Sequence, residues 1–108
     1  MGSVDFQTLR DLLQPLKRQG MEKIILFGSH ATGIPTEESD VDLVFIADQE
    51  GYYSTFRERI SSKQAILRQL RDANLPLDIL VYTRTEWREL ELSGSSFINA
   101  IRKDGIEL

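Results

Sequence analysis

Apolar and polar positions alternate along this chain in two rhythms, and the switches between them mark its elements. Residues 4–19 carry Phe6, Leu9, Leu12, Leu13 and Leu16 at helical spacing. Ser3 or Asp5 can cap this helix and Gly20 can end it, with Pro15 expected to kink or restart the last turn. Ile24-Ile25-Leu26-Phe27 is a continuous apolar run, the pattern of a buried strand. Residues 29–33 predict a short helix, 34–39 a loop, and 41–47 a second buried strand. After a loop at 48–53, a long helix is predicted over 55–73. It places Phe56, Ile60, Leu67 and Leu70 near one stripe, and Arg57, Glu58, Arg59, Lys63, Arg68 and Arg71 on a face read as solvated. Residues 77–82 predict a third strand, 84–92 a helix with Trp87 inward, and Ser95 or Ser96 the cap of a last helix through Lys103. Gly105 stops that helix, leaving residues 106–108 for a short edge strand.

This order is that of an α/β fold in one domain spanning residues 1–108: a mixed sheet of three main strands, with room for a short fourth, flanked by helices. The long helix between the second and third strands suits a parallel crossover. The first and second strands must run antiparallel if Ser29, after one strand, is to meet Asp40 and Asp42, at the start of the next.

Those residues carry the candidate chemistry. Side chains on a strand alternate faces, so Asp40 and Asp42 point the same way, with Val41 opposed. Two carboxylates on one face repel unless a cation joins them, and Mg²⁺ takes carboxylate oxygens while leaving positions open for phosphate. The Gly28-Ser29 turn can offer N–H groups and a hydroxyl to a phosphate. Asp78, near the start of the third strand, can stand beside the pair, its side chain opposed to those of Leu77 and Ile79. Each feature alone is more often a solvated turn or strand end; together they point to nucleotide chemistry. Other phosphate and metal motifs fail. Ile34 follows Gly33 where a P-loop needs Lys, Phe45 occupies the glycine position of an EF-hand, and His30 replaces the second glycine of the dinucleotide fingerprint.

Composition narrows the partners. The 108 residues are 41% hydrophobic and 28% charged, as in a soluble globular domain, with net charge −4 and a sequence pI near 5.0. That balance disfavours a grip on long nucleic acid. With no cysteine, thiolate metal sites and disulfides are excluded, which fits a reducing cytoplasm. No apolar stretch approaches membrane-spanning length and no signal peptide is visible.

Gly28-Ser29-x-Ala31-x-Gly33, then Ser39-Asp40-x-Asp42-Leu43, then strand-borne Asp78, resemble the nucleotidyltransferase domain of the DNA polymerase β superfamily, and most of all its minimal nucleotidyltransferases, the MNT proteins. The resemblance implies a polymerase-β-like fold and transfer of a nucleoside monophosphate from an NTP, expected to be ATP, with two Mg²⁺ ions for which Mn²⁺ can substitute. It implies that Gly28 and Ser29 hold the β- and γ-phosphates. Asp40 and Asp42 would bind both ions, and Asp78 the catalytic ion, helping to activate an acceptor hydroxyl. Minimal members often carry Arg where this chain has His30 and Thr32. His30, the only histidine, is read first as a surface residue after the turn and second as a catalytic group. Arg57, Lys63 and Arg84 are candidates for a further phosphate contact.

The expected acceptor is a hydroxyl on a separate protein, because the motifs and core use nearly the whole length. The MNT resemblance suggests a helical HEPN-type toxin, modified by AMP transfer with this chain as antitoxin. The main alternative is an interaction module that neutralises such a partner by binding alone. A fold with lost activity is disfavoured by the three carboxylates, and an Asp-x-Asp glycosyltransferase by length. Self-association remains open.

Overall fold

The computed structural model describes residues 5–33 and 40–108. The predicted loop at 34–39 and the cap candidate Ser3 lie outside the described residues. The chain runs α1 (Phe6–Arg18), β1 (Met21–Phe27), α2 (Ser29–Thr32), β2 (Val41–Ala47), α3 (Phe56–Gln69), a 3₁₀ turn (Arg71–Ala73), β3 (Leu77–Thr83), α4 (Arg84–Ser93), α5 (Ser96–Asp104) and β4 (Ile106–Glu107).

The helix starts follow the caps written in the sequence. Asp5 accepts from the Gln7 N–H at 3.1 Å, Thr55 from Glu58 at 3.1 Å, and Ser95 from Ile98 at 3.3 Å. Thr83 and Glu86 form a reciprocal capping box at the head of α4. Helix α1 continues through Pro15 to Arg18 rather than restarting there. A helix can carry an internal proline where the carbonyl it orphans, here that of the exposed Asp11, reaches water. Helix α3 is shorter than the predicted 55–73: it ends at Gln69 and tightens into the 3₁₀ turn before Asn74, which adopts a left-handed conformation.

The four strands lie in the order β3-β2-β1-β4. β1 is antiparallel to β2 and β4, while β2 and β3 are parallel across the α3 crossover. β2 is central and buried at every position except Asp42, which is half-buried. The pleat divides the core in two. Leu9, Leu13 and Leu16 of α1 pack with Ile66 and Leu70 against Ile24, Leu26, Leu43, Phe45 and Ile79. On the other face Trp87, Ile98 and Ile101 of α4 and α5 cover Ile25, Val44 and Ile46. Truncating the fully buried Phe45 to alanine would cost about 3–5 kcal/mol.

The expected stripe on α3 is corrected. Of its four residues only Leu70 is buried: Phe56 is 78% exposed and Ile60 and Leu67 are 37% exposed, and Ile66, outside the expected stripe, packs beside Leu70. Two turns N-terminal to Ile66 the inward position goes to Arg59, read from sequence as solvated. It is stabilised there by a carboxylate partner, Glu86, so the apolar residues on the neighbouring stripe are displaced outward. Among the described residues no helix is long and apolar enough to cross a membrane.

Candidate active site

At one end of the sheet the register sets Phe27, Asp42 and Asp78 side by side on β1, β2 and β3. Asp42 shares its face with Val44 and Ile46, and Asp78 with Leu80 and Tyr82, so both carboxylates project on the α4/α5 face. The two carboxyls are neighbours across the β2–β3 register, close enough for each to sense the other's charge. Burial raises the Asp42 carboxyl above its ordinary value of 3.8. The negative charges of Asp78 and Asp40 raise it further, and His30 opposes this.

Gly28 closes the site from the β1 side. It sits at φ 74° and ψ −157°, a backbone region that is essentially glycine-only. A Cβ there would lie 2.1 Å from Asp42 Oδ2. The glycine thus lets the backbone turn sharply out of β1 and come against the carboxylate. Its carbonyl accepts from the N–H groups of Ala31 and Thr32, starting α2, and Gly33 ends that single turn in a left-handed conformation. Ser29 is half-buried beside Gly28. The Thr32 hydroxyl donates to the Ser29 carbonyl at 3.0 Å.

The expectation of a surface His30 is overturned: the residue is 5% exposed. The tight turn at Gly28 rolls α2 back toward the sheet, so its second residue faces inward near Asp42. Asp40 lies one residue before β2 and is exposed. Among the described residues no three His, Asp or Glu side chains converge closely enough to share one ion. The donor set nevertheless fits a hard divalent cation. Two adjacent carboxylates, one of them destabilised in its charged form by burial and by the other, supply the hard oxygens that Mg²⁺ or Mn²⁺ takes.

Two basic candidates stand far from this end. Arg84 follows the opposite end of β3, six residues from Asp78, or roughly 20 Å along a strand. It is held there by Glu22, Asp48 and Glu50. Arg57, at the start of the crossover helix, lies toward that same far end. The sequence reading also missed a network on the edge strand. Arg59 bonds both carboxylate oxygens of Glu86 and the Val81 carbonyl, and stacks on Tyr53 and Tyr82. Burial raises the Glu86 carboxyl, but Arg59 and the N–H groups of Thr83 and Tyr53 outweigh it and hold the group below its ordinary range. The signal was present in Thr83-x-x-Glu86, a capping box just ahead of Trp87.

The family model "Polymerase beta, Nucleotidyltransferase" matches residues 7–91, which include the whole Gly28–Asp42–Asp78 end of the sheet. The chain belongs to the polymerase β nucleotidyltransferase family. Caffeine-induced protein 16 of Schizosaccharomyces pombe is 33% identical over 73 residues, 64% of this nucleotidyltransferase chain but 6% of that protein. Two Methanocaldococcus jannaschii proteins, provisionally named protein adenylyltransferases MJ0604 and MJ0141, are also similar. The first is 40% identical over 50 residues, 44% of this chain and 50% of its own length. The second is 28% identical over 96 residues, 89% of this chain and 87% of its own. This chain therefore spans half or less of the first two relatives. Two mutants of the toxin–antitoxin MntA-HpeT share the fold: TM-scores are 0.54 and 0.50, identities 15% and 20%, covering 96% and 97% of this chain and 72% of each of those.

Proposed function

We propose that this family member transfers AMP from ATP to a hydroxyl of a separate protein. The observation that carries the reading is the Asp42–Asp78 pair, adjacent on one sheet face and closed in by Gly28. Gly28 and Ser29 would bind the β- and γ-phosphates, the backbone at Gly28 coming close because no Cβ intervenes. Asp40, Asp42 and Asp78 would hold two Mg²⁺ ions, which when bound supply charge neutralisation for the attacking hydroxyl and the departing pyrophosphate. Asp78 would orient the acceptor hydroxyl and take its proton as the oxygen attacks the α-phosphorus. Asp42, central and fixed by its strand neighbours, would set the in-line geometry. Lys63 lies on α3, which packs against the other face of the sheet, and like Arg57 and Arg84 stands away from the phosphates.

Two relatives named for protein adenylylation support a protein acceptor, and neighbours named as a toxin–antitoxin support a partner of that kind. On the MNT resemblance the acceptor would be a tyrosine of a helical HEPN-type toxin. The test is labelled ATP with a co-expressed candidate partner. Label from the α-phosphate should enter the partner, require Mg²⁺ or Mn²⁺, and vanish with Asp40→Ala. Label from the γ-phosphate should not. Transfer of the γ label would make the reaction a kinase reaction. Toxin neutralisation undiminished by Asp40→Ala, with no transfer, would leave binding alone as the function.

A further inference from the structure

Helix α3 exposes an apolar stripe that the fold does not use. Phe56, Ile60, Lys63 and Leu67 follow one another at spacings of four, three and four, the pattern of a helix–helix seam. Phe56 is 78% exposed, and Ile60 and Leu67 are 37% exposed. The stripe borders a groove of about 440 Å³ between α3 and the outer strand β3, lined by Phe56, Ile60, Lys63, Leu80 and Tyr82 among others.

The edge of β3 invites strand addition, but Arg59 reaches over it and donates to the Val81 carbonyl at 2.7 Å. The helical stripe, rather than the β3 edge, is the surface here open to a partner. Its charge selects which partner. In a chain of net charge −4, Arg57, Lys63, Arg68 and Arg71 lie on or beside the stripe, and none of the four has an ion-pair partner among the described residues. A second copy packed on the same stripe about a two-fold axis would bring these cations together. A helix with acidic flanks would neutralise them.

We infer that α3 is a docking surface for an amphipathic helix of another protein, whose apolar seam fills the Phe56–Ile60–Leu67 stripe and whose acidic flanks meet Arg57, Lys63, Arg68 and Arg71. Asp42 and Asp78 project on the opposite face of the sheet, so the surface does not depend on the reaction proposed above.

The probe is a synthetic helical peptide with leucines at four-three-four spacing flanked by glutamates, and a twin flanked by lysines. Binding is followed by fluorescence anisotropy and by amide shifts. The glutamate peptide should bind and shift α3, while the lysine twin should not. Ile60→Asp should weaken binding by about tenfold or more. The double change Lys63→Glu with Arg68→Glu, one position half-buried and the other exposed, should weaken the glutamate peptide similarly and confer binding on the lysine twin; circular dichroism checks that each variant is folded. Equal binding of both peptides, binding of neither, or shifts mapped away from α3 would overturn the inference. So would a dimer in sedimentation that Ile60→Asp abolishes, or anionic lipid vesicles that take up the protein through Phe56 and Ile60.

Discussion

Replacing Gly28 by alanine perturbs the candidate site through one methyl group. The backbone at φ 74° and ψ −157° disfavours any side chain, at a cost of about 1–3 kcal/mol. The new Cβ would also lie 2.1 Å from Asp42 Oδ2, so the carboxylate must retreat by more than about 1 Å to reach ordinary contact. A loss near 2 kcal/mol would lower the melting temperature by roughly 8–16 °C in a domain of this size. A displacement of about 1 Å in a positioned group costs about a hundredfold in rate. The assay pairs thermal melts with AMP transfer, on Gly28→Ala alone and on Gly28→Ala with Asp42→Ala. The double variant removes the overlap but keeps the backbone strain, so its stability should recover in part while transfer, slowed by Gly28→Ala alone, is lost altogether with Asp42. A Gly28→Ala protein as stable and as active as the parent would refute the close approach of Gly28 and Asp42.

Asp42→Asn should abolish transfer yet stabilise the protein in EDTA. The folded carboxyl titrates above 3.8, so its contribution is fully present below 3.8 and is lost as pH rises through the raised value; melts from pH 3 to 8 should show the variant's advantage growing with pH. Glu86 has the opposite sign: held below its ordinary 4.5, it contributes above 4.5 and loses that contribution as pH falls through the lowered value. Arg59→Ala should cost about 1–2 kcal/mol at neutral pH, allowing for the partial exposure of the pair, with the deficit narrowing in acid. Mg²⁺ and ATP together should raise the melting temperature more than either alone, by an amount worth about 2.7 kcal/mol at a hundredfold excess over Kd.

Much of the fold is visible in local pattern because local pattern causes it. β2 reads as a buried strand since both its faces are covered, and the caps at Asp5, Thr55 and Ser95 sit where their side chains meet free N–H groups. The opposed directions of β1 and β2 followed from asking Ser29 and Asp42 to meet. The failures are long-range. Nothing local says that Arg59 will find Glu86 across the crossover, yet that pair turns α3 and pushes Phe56 and Ile60 outward. Nor does periodicity over a single turn of helix reveal that His30 faces inward, since the direction of α2 is set by the unusual backbone at Gly28. The adjacency of Asp42 and Asp78 was readable from strand starts, whereas the remoteness of Arg84 depended on which end of β3 it follows.

The central claim is that Gly28, Ser29, Asp42 and Asp78 form the nucleotide site. Amide chemical-shift mapping on titration with ATP and Mg²⁺ tests it most directly. The account predicts the largest shifts at Gly28, Ser29, Asp42 and Asp78, abolished by Asp42→Asn. It is contradicted if saturating ATP and Mg²⁺ leave those four amides unmoved, or if the shifts gather at the other end of the sheet around Glu50 and Arg84.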